Sequence, residues 1–168
     1  MIWSDDNGDS WSDKPLTVSF TEGCRDGMPV AALFGDEIVV VIEDNRIGEF
    51  KLSTVRSRLD ENWSCPVTAG SPDRDFALIK DVPDSSYMGA PYIVRLPGGE
   101  ALISYQANCD GSGRWNRSCM EIAIGDREAR NFKVVCQPFR TEFDSPGLWN
   151  SLCMWNDSTV MALSSING

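Results

Sequence analysis

A repeat of about 60 residues restricts the fold of this chain more than any other feature. Three segments align: "GMPVAALFGDEIVVVIEDN" from 27 to 45, "GAPYIVRLPGGEALISYQAN" from 89 to 108, and "LWNSLCMWNDSTVMALSSIN" from 148 to 167. Each reads as a strand, a Gly/Asp/Asn turn, a second strand and a closing Asn. Between them, "STVRSRLDENWSCPV" (53 to 67) and "EIAIGDREARNFKVVCQPF" (121 to 139) each supply a strand, a turn and an aromatic followed by a short strand. The unit is therefore four strands, with almost no 3.6-residue periodicity anywhere. Four-stranded antiparallel sheets at this period predict an all-β chain built as a β-propeller. A sandwich of short strands is the structural rival, and it needs no period.

The first repeat is preceded by "SDDNGDSW", Ser4 to Trp11, in which Ser4, Asp6, Gly8 and Trp11 stand at Ser-x-Asp-x-Gly-x-x-Trp spacing. Asp and Ser side chains bond the backbone of a tight turn, and Gly supplies a positive φ. The aromatic is expected to pack beneath a hairpin that the turn closes. Trp63 and Phe132 hold the matching places in the two later elements, where the rest of the pattern has degenerated. A closed propeller takes about four to eight blades. The pattern thus predicts one partial-propeller domain over 1–168, with repeats beginning near 27, 89 and 148, and about three blades present of six. On this reading the chain is a fragment of a longer protein.

Composition removes several function classes. The formal net charge of −10 opposes a nucleic-acid partner or an anionic membrane surface, both of which require basic residues. The longest apolar run, "EIVVVIE" at 37 to 43, is of strand length, so no membrane span is expected. The first twenty residues show neither a basic nor an apolar leader region, so no signal peptide is read in this chain. There is no histidine, and the six cysteines form no Cys-x-x-Cys. Neither a metal site nor a cofactor is expected, and Ser-His-Asp and Cys-His catalysis are excluded within the chain. Cys109 and Cys119 flank a Gly/Ser loop and are spaced to bridge in an oxidising compartment. The other four read equally well as buried thiols. Three Asn-x-Ser sequons begin at Asn62, Asn116 and Asn156, and carry little weight in a chain so rich in Asn and Ser.

Blade geometry gathers the residues before each first strand and after each second strand on one face. Glu43 stands out there because it ends the most apolar strand, where the aligned copies carry Gln106 and Ser165. A carboxylate at the mouth of a buried strand is open to pKa tuning by desolvation and by Arg25 or Arg46. Asp26 and Asp44 are the next candidates for a general acid or a second carboxylate. Tyr87, Gln106 and Trp149 complete a sugar-binding inventory of phenol, amide and stacking ring. Each of these residues has a structural alternative: an ion-paired strand end for Glu43, a turn former for Asp26 and Asp44. Tyr92 lies inside a strand and is expected to pack between sheets.

Taken together, "SDDNGDSW", "RDGMPVAALFGDEIVVVIE", "YMGAPYIVRLPGGEALISYQ" and "LWNSLCMWNDSTVMAL" resemble the sialidase superfamily of glycoside hydrolases, whose propellers carry Asp-box (BNR) repeats. The Arg-x-Gly-Met-Pro-Val segment ending in Glu43 is similar to the exo-arabinanase-like members. The resemblance implies an exo-acting hydrolase that removes a terminal sugar from a glycan or oligosaccharide through an oxocarbenium-like transition state. It implies that Arg25 contacts substrate and that Glu43 is a catalytic carboxylate. True sialidases add three arginines and a Tyr/Glu nucleophile pair. The expected location is secreted or periplasmic for the full-length protein. The alternative is a non-catalytic propeller of the same build that binds glycans or proteins, and neither reading fixes an oligomeric state.

Overall fold

The structure, a computed structural model, describes residues 1–15, 17–20, 27–44, 51–58, 67–68, 76–78, 88–108, 118–139 and 147–166. Regular structure among the described residues is entirely β. The strands are β1 (Ser19–Phe20), β2 (Gly27–Phe34), β3 (Glu37–Asp44), β4 (Lys51–Arg58), β5 (Val67–Thr68), β6 (Phe76–Leu78), β7 (Met88–Arg95), β8 (Ala101–Asn108), β9 (Ser118–Ile124), β10 (Lys133–Cys136), β11 (Gly147–Asn156) and β12 (Thr159–Ile166). They form two four-stranded sheets, β2-β3-β4-β6 and β7-β8-β9-β10, and a two-stranded sheet, β11-β12. All pairings within these three sheets are antiparallel, whereas β1 and β5 pair in parallel. The three aligned hairpins are thus β2-β3, β7-β8 and β11-β12, one at the start of each sheet.

The sheets stack face to face, and strand alternation explains how. In β3, "EIVVVIED", every residue after Glu37 is buried, as expected of a strand covered on both faces. Val39 and Val41 point toward the second sheet, with Phe34 and Leu52 beside them, and meet Ile93, Ile103, Tyr105 and Met88. Ile38, Val40, Ile42 and Val55 point the other way, under Met1 and Val18. The second sheet repeats the arrangement: its far face, with Tyr92, Val94, Leu102, Met120 and Ile122, packs on Leu152, Val160 and Ala162 of the third. Full burial of side chains of this size stabilises by about 1.5–3 kcal/mol each, so these two layers hold the molecule together. Tyr92 packs between sheets as its sequence position implies.

The same backbone irregularity recurs at the head of each hairpin. Met28, Ala90 and Trp149 hold φ of 48°, 47° and 57°, the left-handed region that non-glycine residues rarely enter. Each sits at a β-bulge, where the register skips between Gly27 and Val30, between Gly89 and Tyr92, and between Leu148 and Asn150. Pro29 and Pro91 are accommodated there because a bulge needs no ladder donor from them. Three copies of one strained feature, at the second residue of each aligned segment, establish the repeat in three dimensions.

The Ser4–Trp11 turn forms through its own side chains. Asp6 Oδ1 accepts from the Ser4 hydroxyl at 2.7 Å and the Ser10 amide at 2.9 Å, while Oδ2 accepts from the Ser10 hydroxyl. The Gly8 amide donates to Ser4 Oγ at 2.8 Å, and Gly8 holds φ 94°. Two expectations need correction. The turn is closed by the Ser12 amide on the Trp3 carbonyl, not by paired strands, and Trp11 is exposed instead of packed beneath it. With no opposing strand in place, the ring has no sheet surface to cover.

A second turn of this kind, between β9 and β10, is built on Asp126. Its Oδ1 accepts the amides of Glu128 and Arg130, both at 2.9 Å, and its Oδ2 accepts from the Asn131 side chain at 2.7 Å. Asn131 stands in for the Ser10 hydroxyl, and Ala129 and Asn131 carry the positive φ. Phe132 follows and packs partly against the core, as the alignment with Trp11 and Trp63 suggested for it. Trp63 lies outside the described residues. At Gly125 a Cβ would fall 2.7 Å from the Phe132 ring and 2.9 Å from the Arg130 carbonyl, so only glycine fits there.

The cysteines divide differently from expectation. Cys119 is in a disulfide whose other half lies outside the described residues, as does Cys109. Cys136 and Cys153 are free and exposed, so neither is the buried thiol that composition suggested. Cys136 is on the exposed edge strand β10, and Cys153 is on the outer face of the third sheet.

Two predictions follow from the turns. Gly125→Ala should destabilise the fold by about 1–3 kcal/mol through overpacking against Phe132 and the carbonyl, seen as a lower urea midpoint; an unchanged midpoint contradicts the tight approach. The Ser10 hydroxyl, the Ser10 amide and the Ser4 hydroxyl hold the Asp6 carboxyl down from 3.8 to about 2. Since the folded value is the lower one, the stabilisation is complete above the unfolded value of 3.8 and disappears as pH falls through about 2. A carbon-13 carboxyl titration by NMR should place the Asp6 midpoint near 2; a midpoint near 3.8 would mean the bonds do not form in solution.

Candidate functional site

The three bulges mark one end of the sheets, and Glu43, Asp44, Gln106 and Trp149 lie at that end. Glu43 pairs in register with Gly27, Gln106 with Gly89, and Ser165 with Leu148. The three positions that align in sequence are therefore equivalent in space.

Glu43 is 2% exposed. Its side chain shares the face of Val41 and Val39, directed at the second sheet. There its Oε1 accepts the backbone N–H of Ala90 at 3.0 Å. The physical origin of this contact is the bulge. By leaving the β7-β8 ladder at Ala90, the backbone frees an amide that is buried and must find an acceptor. The Glu43 carboxylate on the neighbouring sheet supplies it. A second link between the sheets lies on the same face, where the Thr54 hydroxyl donates to the Ala129 carbonyl at 3.0 Å.

Asp44, next in sequence, faces the opposite side of the first sheet. It is fully buried, and its Oδ2 accepts from the Ser53 hydroxyl at 2.8 Å. Alternation along β3 thus separates the two carboxylates onto different faces, and the structure does not bring Glu43 and Asp44 together as a pair. Gln106 is buried on the face of the second sheet that meets the third. Trp149, at the bulge of the third sheet, leaves its ring 64% exposed at the same end. Arg25, Asp26, Arg46 and Tyr87 lie outside the described residues.

One polar cluster was not anticipated. Tyr105 and Glu121 are cross-strand partners on β8 and β9, and Glu121 Oε1 accepts from the Gln137 side chain at 2.8 Å. The Tyr105 hydroxyl is buried and makes no hydrogen bond of ordinary geometry. Burial, and after it the Glu121 charge, pushes the phenol well above its ordinary value. By residue type this is the phenol and carboxylate of a Tyr/Glu nucleophile pair. Its position says otherwise: a fully buried phenol held protonated is a poor nucleophile and cannot reach substrate. The sequence signal for it was the Glu at the head of "EIAIGD", opposite a Tyr that the strand pairing alone reveals.

At Asp126 partial burial works against the charge; the Arg130 amide, the Asn131 side chain, the Glu128 amide and the Arg130 guanidinium outweigh it and hold the carboxyl below its usual range. No group of three or more Cys, Asp or Glu side chains suited to a metal ion occurs among the described residues. No helix among them is long and apolar enough to cross a membrane.

Comparison with known proteins gives little to set beside this geometry. No protein-family model matches the chain, and no solved structure does. A 69-residue stretch is 30% identical to the centrosomal protein of 131 kDa from Drosophila melanogaster, covering 41% of this chain. The chain spans only 6% of that protein's length, too small a share to assign a family.

The Ala90 contact generates a test of what Glu43 does for the fold. Glu43→Leu should destabilise by about 1–3 kcal/mol, because it strands a buried amide, whereas Glu43→Gln keeps an acceptor oxygen and should stay close to wild type. Urea denaturation of both variants reads the difference; equal midpoints would show that the Ala90 amide does not depend on Glu43.

Proposed function

We propose that this chain belongs to a sialidase-like β-propeller glycoside hydrolase that removes a terminal sugar from a glycan. The observation that carries the reading is the buried Glu43 carboxylate, held at the end of the sheets where three equivalent left-handed bulges lie. Supporting it are the Asp-anchored turn at Asp6 and the exposed Trp149 ring at the same end, which suits stacking on a sugar face. In this reading Glu43 is the catalytic carboxylate, with Asp26 as the candidate acid; Asp44 lies buried on the other face of the sheet and has no part in it. Arg25, Arg46, Tyr87, Gln106 and Trp149 bind substrate, and the full-length protein acts outside the cytoplasm.

The non-catalytic alternative is favoured by one specific observation. Glu43 spends an oxygen on the Ala90 amide and is almost wholly covered, which are the marks of a residue that positions backbone. A propeller that uses Glu43 in this way would bind glycans without cleaving them.

Turnover of aryl sialosides and aryl arabinosides separates the two. The hydrolase reading expects release of the aryl group by the wild-type chain and a loss of about 100-fold or more in Glu43→Gln, the size of a general acid–base contribution. A Glu43→Gln protein with wild-type urea midpoint and wild-type turnover removes Glu43 from the chemistry. Glycan binding by the wild-type chain with no turnover on either substrate class selects the binding reading.

A further inference from the structure

Three Asn-x-Ser sequons begin at Asn62, Asn116 and Asn156, and the structure separates one from the others. Asn62 and Asn116 lie outside the described residues. Asn156, Asp157 and Ser158 form the tip of the β11-β12 hairpin, where Asn156 pairs with Thr159 across a two-residue turn, and all three are exposed. Asn156 Oδ1 accepts the Ser158 amide at 2.9 Å and the Ser158 hydroxyl at 3.0 Å. The first and third residues of the sequon are thus in direct contact. These bonds engage the carboxamide oxygen and leave Nδ2, the atom that takes sugar in an N-glycan, outside them. The matching turns of the other two hairpins are built without asparagine, at Gly35–Asp36 and at Pro97–Gly99, so the hairpin repeat does not itself call for this tripeptide.

We propose that Asn156 is an N-glycosylation acceptor. Two observations elsewhere in the molecule suit that role. Cys119 is in a disulfide, a bond that forms and persists in oxidising compartments such as the endoplasmic reticulum, where sequons meet their glycan donor. The turn also lies at the far end of the third sheet from the bulges, since the 10 residues of β11 from Gly147 to Asn156 span about 30 Å at the rise of a strand. A bulky glycan at Asn156 therefore leaves the end that holds Glu43, Gln106 and Trp149 uncovered. The donor class is a lipid-linked oligosaccharide diphosphate. In the transfer, Nδ2 forms a C–N bond to the anomeric carbon, the bond from that carbon to the diphosphate oxygen breaks, one proton leaves the nitrogen, and the lipid diphosphate departs. The inference does not rest on the hydrolase reading, and a chain without turnover on any glycoside would leave it standing.

A peptide map tests it. The full chain is directed into the secretory pathway of a eukaryotic cell by a cleavable leader and recovered from both the endoplasmic reticulum and the medium. Trypsin cuts after Arg140, and the peptide from Thr141 to Gly168 carries no other sequon than that at Asn156. This peptide should bear an added oligosaccharide mass. Peptide N-glycanase in heavy-oxygen water should remove that mass while converting Asn156 to a labelled aspartate. Asn156→Asp keeps the acceptor oxygen of the turn and removes only Nδ2, so it should abolish the sugar, as should Ser158→Ala, whereas Ser158→Thr should retain it. An unmodified peptide from 141 to 168 overturns the proposal. So does sugar that survives Asn156→Asp, or sugar confined to the peptides that contain Asn62 and Asn116.

Discussion

A left-handed residue at the head of the first strand of each aligned hairpin organises this molecule. Holding Met28, Ala90 and Trp149 at positive φ costs about 1–2 kcal/mol at each position, so the surrounding structure must enforce it. What the strain achieves is visible at Ala90. The bulge turns an amide out of its own ladder toward the neighbouring sheet, and Glu43 receives it. One backbone distortion therefore converts a contact that would have stayed within a sheet into a link between sheets. The apolar layers supply most of the stabilisation, but they are non-directional. The Glu43–Ala90 bond, together with Thr54 to Ala129, sets how the first two sheets sit on each other.

This arrangement gives Glu43 two competing descriptions. Under the proposed hydrolase reading, a carboxylate at the common end of the three sheets is the group that acts on a bound sugar. As the acceptor for a freed amide, it is a fixed part of the scaffold. The two are compatible only if the remaining oxygen faces substrate, and that is why the amide-preserving Glu43→Gln substitution is more informative than removal of the side chain. The equivalent residues have diverged to Gln106 and Ser165, so the repeat does not itself demand a carboxylate at this position.

Much of the fold was legible in the sequence because it depends on local pattern. The boundaries of the three hairpins, the equivalence of Glu43, Gln106 and Ser165, and the strand placement of Tyr92 all follow from alternation and turn residues. The misses share a different cause. Trp11 and Cys153 were read by residue type as burying residues, but burial depends on which surface lies opposite, and no local pattern encodes that. Glu43 and Asp44 are neighbours in sequence yet face opposite sides of a strand, so adjacency misled where alternation would have separated them. The Tyr105–Glu121 contact joins residues on two strands and becomes visible only once β8 and β9 are in register.

The Asp126 turn has a consequence for how such chains are recognised. At Asp6 the geometry is maintained by serines, an aspartate and a glycine, whereas at Asp126 an aspartate and an asparagine maintain a related network that shares the bond from the amide four residues on to Oδ1; the left-handed residues differ in place, Asn7 and Gly8 in the first turn and Ala129 and Asn131 in the second. The aspartate is the one component common to both. Everything else in the turn is free to drift under mutation provided that some donor reaches the second carboxylate oxygen. Among the described residues, a pattern keyed to all four motif positions counts one such turn where the backbone has two Asp-anchored turns, and similarly drifted turns in other proteins would be undercounted in the same way.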